Sequence, residues 1–139
     1  MATTNFRVVN QSIVIDGLVN GRGISFVVDT GDAIGPTFNS ADAEALKLPS
    51  LGPLDVSGAG GSVQIQRTEA DITIGGSSYL KEPGAIDPDL QGPSLLGLPF
   101  FLRKGGVLSF NFDTGQLTFG HAGRKGFLAA IRQFFGEGN

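Results

Sequence analysis

The sequence predicts a mostly β domain with one or two short helices and an appended C-terminal amphipathic helix. Three observations lead there. The 139 residues include 22 Gly and 7 Pro in small clusters, with short apolar runs between them, the punctuation of many strands joined by tight turns. Hydrophobic residues make up 40% of the chain, 11 of them Phe, against 17% charged, a balance that buries a core and argues against disorder. The turn signals end at Gly123, and one apolar helical face follows. The length fits one compact domain, expected over residues 1–123, with 124–139 as its tail.

Strands are expected near 5–9, 12–19, 24–28, 53–57, 62–67, 69–74, 77–81, 107–112 and 116–119. Asn20-Gly21 suits a two-residue hairpin turn because both central positions tolerate positive φ. Gly75-Gly76 can turn a second hairpin and Asp113-Thr114-Gly115 a third. Ser40 is a good N-cap for a helix from Ala41 to Leu48. Pro99 can open a helical turn through Arg103, stopped by Gly105-Gly106. In the tail, Phe127, Leu128, Ile131, Phe134 and Phe135 share one helical face with Arg124, Lys125 and Arg132 beside it. That pattern favours docking on the domain or on a partner subunit over contact with lipid.

Bulk chemistry removes several function classes. The net charge is −3 and no basic stripe appears, so nucleic acid is not an expected partner. With no Cys, disulfides, thiol catalysis and Cys-ligated zinc are excluded, and the redox compartment is unreadable. His121 is the sole histidine and cannot build a multi-His metal site. No metal and no cofactor is expected. Met1 to Asn10 lacks the charged-then-apolar order of a secretory signal. No apolar stretch is long enough to cross a bilayer, so the chain is expected to be soluble, in a compartment the residues do not name.

Chemistry concentrates at Asp29-Thr30-Gly31, which follows the apolar run Phe26-Val27-Val28. A buried strand fixes the backbone that carries the carboxylate. Gly admits close approach of a substrate backbone, and the Thr hydroxyl can reach a partner loop. Alone, Asp-x-Gly is an ordinary turn. Its setting adds weight. Downstream stand a Gly-rich stretch, Ser57-Gly58-Ala59-Gly60-Gly61-Ser62, then Leu95-Leu96-Gly97, then Pro99 to Lys104, then Val107 to Phe119.

In this order and spacing the series resembles the retropepsin-like aspartic proteases, in a single-domain, bacterial-like form, over roughly residues 5–120. The resemblance implies a closed β-barrel that is half of an acid protease, with the active site on a two-fold axis. It implies a homodimer acting on a polypeptide substrate, each copy bringing one catalytic Asp29. One carboxylate must act as base while its neighbour acts as acid, and two carboxyls a few ångströms apart hold one proton between them. By the same resemblance Thr30, Gly31 and Asp32 make up the active-site loop as structural residues, and Leu95, Leu96 and Gly97 support it. Gly58, Ala59, Gly60 and Gly61 form a flap over an extended peptide.

A second Asp-Thr-Gly, at 113–115, invites an intramolecular pair. It has no apolar-apolar-Gly segment after it, and it falls where a plain hairpin turn is expected. Asp32 is a departure, since the family usually has Ala or Ser after the triplet. It is expected either to perturb the proton shared by the pair or to face solvent or a charge on the partner subunit. Asp32 therefore keeps open an alternative function, a catalytically inactive dimeric peptide-binding or scaffold module on the same fold. A monomeric β-barrel binder with a chance triplet leaves the ordered motifs unexplained. The glycines at 58–61 lack the Lys of a phosphate loop, and no Gly-x-Ser-x-Gly elbow is present.

Overall fold

A computed structural model of the chain describes residues 1–58 and 61–121. Ten strands and two short helices follow one another: β1 (Ala2–Val9), β2 (Ser12–Val19), β3 (Arg22–Asp29), β4 (Pro36–Phe38), α1 (Ser40–Ala45), β5 (Pro53–Gly58), β6 (Gly61–Ile74), β7 (Ser77–Ile86), β8 (Leu95–Gly97), α2 (Leu98–Arg103), β9 (Val107–Asn111) and β10 (Gln116–Gly120). The strands join in the order β5-β6-β7-β4-β8-β3-β2-β1-β10-β9, and an extra β6–β2 pairing closes a ring. The expected tail helix lies outside the described residues. No helix among the described residues is long and apolar enough to cross a membrane.

All three expected hairpins form. Asn20 and Gly21 have φ of 51° and 80° and join Val19 to its partner Arg22, a geometry that matches the twist of the flanking strands. Gly75 and Gly76 do the same between Ile74 and Ser77. The Asp113 turn joins β9 to β10, with the Asn111 side chain accepting bonds from the Asp113 and Thr114 N–H groups.

The expected elements need four corrections. The pair expected at 62–67 and 69–74 is one continuous strand, β6. β7 does not end at Lys81 but runs to Ile86. Opposite Asp71 it carries an irregularity, between the Ala70–Glu82 and Ile72–Tyr79 pairs. Lys81 takes φ of 52° there, and its N–H donates to the Asp71 carboxylate at 2.9 Å, as a bulge requires. The first helix is capped by Asn39 rather than Ser40, its Oδ1 accepting the Asp42 N–H at 2.7 Å. β4 and β8, three residues each, carry too little periodicity to be read as strands.

The ring encloses the core. Ile15, Val19, Phe26, Phe38, Ile72 and Leu96 are fully buried. Phe101 packs edge-to-face against both Phe100, its neighbour on α2, and Phe119 of β10, and the Phe100 ring meets Phe119 at a tilt. Tyr79 sits at the margin of this cluster, edge-to-face with Phe100 and tilted against Phe119. Buried Glu82 beside it accepts bonds from Arg103 and Lys104, and the Lys104 ammonium lies 4.5 Å from the Tyr79 ring centre.

Burial raises the Tyr79 phenol above its ordinary value, and the Glu82 carboxylate adds to the rise while Ser77 opposes it. The folded state therefore keeps its phenol proton where the unfolded chain has lost it. Stability should fall as pH rises past the ordinary phenol value, towards the raised folded one. The chain has one Tyr and no Trp, so phenolate absorbance reports Tyr79 alone. Its titration midpoint in the folded protein should lie above that in urea.

Candidate active site

Strand β3 carries Phe26, Val27 and Val28 into the ring and ends on Asp29. It pairs in parallel with β8, matching Val27 to Leu95, Val28 to Leu96 and Asp29 to Gly97. The two motifs that stand 66 residues apart in the sequence thus meet side by side. Leu96 is fully buried and anchors the pair from below. Asp29 itself is half-buried, and Thr30 and Gly31 are exposed.

The loop after Asp29 folds back on it. The Gly31 N–H donates to Asp29 Oδ1 at 2.9 Å, and the Asp32 N–H donates to the Asp29 carbonyl at 3.1 Å. The carboxylate is therefore held by its own loop, with one oxygen aimed by a backbone donor.

The Asp32 side chain turns back into its own loop. Its Oδ1 accepts the Ile34 N–H at 2.8 Å and its Oδ2 accepts the Thr37 hydroxyl at 2.7 Å. Thr37 sits on β4, which is buried throughout and hydrogen-bonded to both β8 and β7. Asp32 is thus a brace between the Asp29 loop and the sheet. Asp32→Ala should cost about 1–3 kcal/mol, because buried donors lose their acceptor. Asp32→Asn, which keeps an acceptor for Ile34 and can bond Thr37, should cost much less. Urea unfolding of the two variants checks the ranking.

Gly97 completes the braced loop. Its N–H donates to the Gly35 carbonyl at 2.8 Å. A Cβ at this position would lie 2.7 Å from the Asp32 carbonyl oxygen, so only Gly lets β8 approach the loop so closely.

The β5–β6 hairpin brings Gly58 opposite Gly61. Ala59 and Gly60, expected at its tip, lie outside the described residues. Between the hairpin's root and the Asp29 loop opens a cleft of about 470 Å³, lined among others by Ala33, Ile34, Leu54, Arg67, Pro83 and Arg103. Its walls come from five separate parts of the chain, so no local motif marks Arg67 or Arg103 in the sequence. Asp113 stands in the β9–β10 turn at the edge of the strand order, three strand positions from β3 at the nearest, β10.

Comparison with known proteins places the chain. The family described as "gag-polyprotein putative aspartyl protease" matches residues 15–103. The chain belongs to this aspartyl protease family. No curated protein matches it. Among solved structures it is similar to a retropepsin-like aspartic protease from Rickettsia conorii, at 21% identity and a TM-score of 0.62, over 84% of this chain and 88% of that one. It is also similar to EIAV protease in complex with the inhibitor HBY-793, at 21% identity and a TM-score of 0.57, over 73% of this chain and 96% of that one. At this identity the two structures establish a shared retropepsin-like fold.

Proposed function

We propose that the chain is an aspartic endopeptidase that hydrolyses peptide bonds as a homodimer, with Asp29 of each copy forming the catalytic pair. The observation that carries this reading is the placement of one loop-held carboxylate at the end of β3, hydrogen-bonded in register beside Gly97.

Two such carboxyls brought together share one proton. The ionised one takes a proton from a water molecule as the water oxygen attacks the scissile carbonyl carbon. The protonated one donates to the carbonyl oxygen, giving a neutral gem-diol. A proton then passes to the amide nitrogen, the C–N bond breaks, and a carboxylic acid and an amine leave. Thr30 and Gly31 serve the loop, Thr30 as a bridge to the second loop and Gly31 as an open stretch of backbone for the substrate. Leu95, Leu96 and Gly97 hold the strand beneath. The β5–β6 hairpin, with Gly58 to Gly61 at its end, acts as the flap, and an extended peptide runs along the cleft below it.

Asp32 raised the alternative of an inactive module. Its carboxylate is occupied by Ile34 and Thr37 within its own loop, which supports an unobstructed pair. The test is cleavage of a mixed peptide library from acid to neutral pH at rising protein concentration. A rate that climbs more steeply than the protein concentration, while the dimer is only partly formed, is expected. No cleavage at any pH would defeat the reading.

A further inference from the structure

The chemistry of the Asp29 pair makes no use of the charges in the cleft beside it. Two guanidinium groups line this space of about 470 Å³, Arg67 from β6 and Arg103 from the end of α2. Among the described residues each side chain donates one hydrogen bond. Arg103 donates to Oε2 of Glu82 at 3.2 Å, and Arg67 to the Leu51 carbonyl at 3.1 Å. A guanidinium carries five N–H donors in a rigid fork, so most of them are left for a ligand. Glu82 is buried and accepts from Lys104 as well, so its charge is answered without Arg103.

The Arg103 side chain is 35% exposed. It lies against Gly35, where a Cβ would stand 3.1 Å from its Nη2. The Gly35 carbonyl in turn accepts the Gly97 N–H. Arg103 is therefore set against the far end of the loop that starts at Asp29. Much of the remaining wall is apolar, with Ile34 and Leu54 half-buried and Leu51 and Pro83 exposed. An apolar slot with a few convergent polar groups is the general form of a ligand site. Its charges select the ligand. Two cations stand against one anion, Glu69, which makes no ion pair among the described residues. The chain as a whole carries a net charge of −3, so this local positive excess runs against the balance of the protein.

We infer that the cleft is a side-chain subsite that selects a carboxylate, so that the protein prefers peptides with Glu or Asp at one fixed place away from the scissile bond. The inference rests on the reading of the cleft as the path of a peptide substrate, and it narrows the class of that substrate. The apolar wall receives the methylene stem of the side chain. A guanidinium fork takes the carboxylate through charge-assisted hydrogen bonds. Gln in the same place has the same shape without the charge, and its bonds to the fork are weaker. The preference is that difference.

The test uses pairs of peptides that differ only in Glu against Gln, with the substitution walked along one host sequence and the C-terminus amidated. At one position the wild type should cleave the Glu member with a kcat/KM tenfold or more higher, and high salt should shrink that ratio. Arg67→Gln and Arg103→Gln should each bring the ratio towards one, and Arg67→Glu should move the preference to Lys. Thermal unfolding shows which variants keep their fold. Arg103→Gln leaves the buried Glu82 with Lys104 alone, whereas Arg67 is exposed, so its variants carry the test if Arg103→Gln unfolds. A ratio near one at every position would overturn the subsite. So would a wild-type preference for Lys, which would hand the cleft to Glu69, a ratio that no folded Arg variant changes, or a preference seen only with free C-termini. Binding of labelled members of the same pairs to Asp29→Asn, followed by fluorescence anisotropy, separates the two readings. Tighter binding of the Glu member with no cleavage by the wild type refutes the protease alone. Cleavage indifferent to Glu refutes the subsite alone. Neither cleavage nor Glu-selective binding refutes both.

Discussion

Replacing Asp29 with Asn is expected to lower peptide cleavage by at least about 10³-fold, the scale on which a general acid–base pair contributes. The side chain keeps its shape, and its oxygen can still accept the Gly31 N–H that holds Asp29 now. Fold and dimerisation should therefore survive, and circular dichroism and sedimentation should match the wild type. A sharper outcome follows from the shared site. If each copy gives one carboxylate, a variant chain spoils every wild-type chain it joins. At fixed total protein, an equal mixture with random pairing should retain about a quarter of the activity, by mass action among the dimers. Retention of half would mean that each chain works alone, and would refute the paired site.

Gly97→Ala is the second large effect expected. The new methyl would meet three atoms of Asp32, at 2.7, 2.8 and 2.9 Å. Asp32 cannot step aside, because its N–H is bound to Asp29 and its carboxylate to Ile34 and Thr37. Either β8 separates from β3, or the loop that holds Asp29 shifts. Overpacking of this kind costs about 1–3 kcal/mol, which thermal unfolding would register. The catalytic effect should be larger, since a displacement near 1 Å at a reacting group costs about 10²-fold in rate. The loss should fall mainly on kcat, with KM little changed, because the cleft walls away from β8 stay in place. Wild-type activity in the Ala variant would mean that the loop tolerates movement and that the close contact has no bearing on catalysis.

Much of this architecture could be read from the residues because its signals are local. Asn20-Gly21 and Gly75-Gly76 turn hairpins by their own backbone preferences. Pro99 stands near the start of a helix that begins at Leu98. The motifs at Asp29 and Leu95 were legible as a series, and pairing in space joined them. What stayed hidden depends on distant partners. Lys81 reads as a strand end, but the Asp71 carboxylate across the sheet stabilises its unusual backbone and the strand continues. The brace at Asp32 depends on Thr37, buried by strands that arrive 48 residues or more later in the chain. Arg67 and Arg103 share a cleft wall only after β6 and α2 have packed.

The first strand has a consequence for how the chain is made. Ala2 to Asn5 pair with Phe119 to Gln116, and Phe6 to Val9 turn to β2 instead. The opening segment is thus held half by its near neighbour and half by almost the last described residues. Its early half has no partner until β10 has left the ribosome. Contacts of such sequence separation form late and slowly, and an unpaired edge left waiting invites strand exchange with other nascent chains. A chain cut short before Gln116 would carry that open edge permanently. Loss of the final hairpin should therefore appear first as aggregation during synthesis, before any catalytic question can be asked of the product.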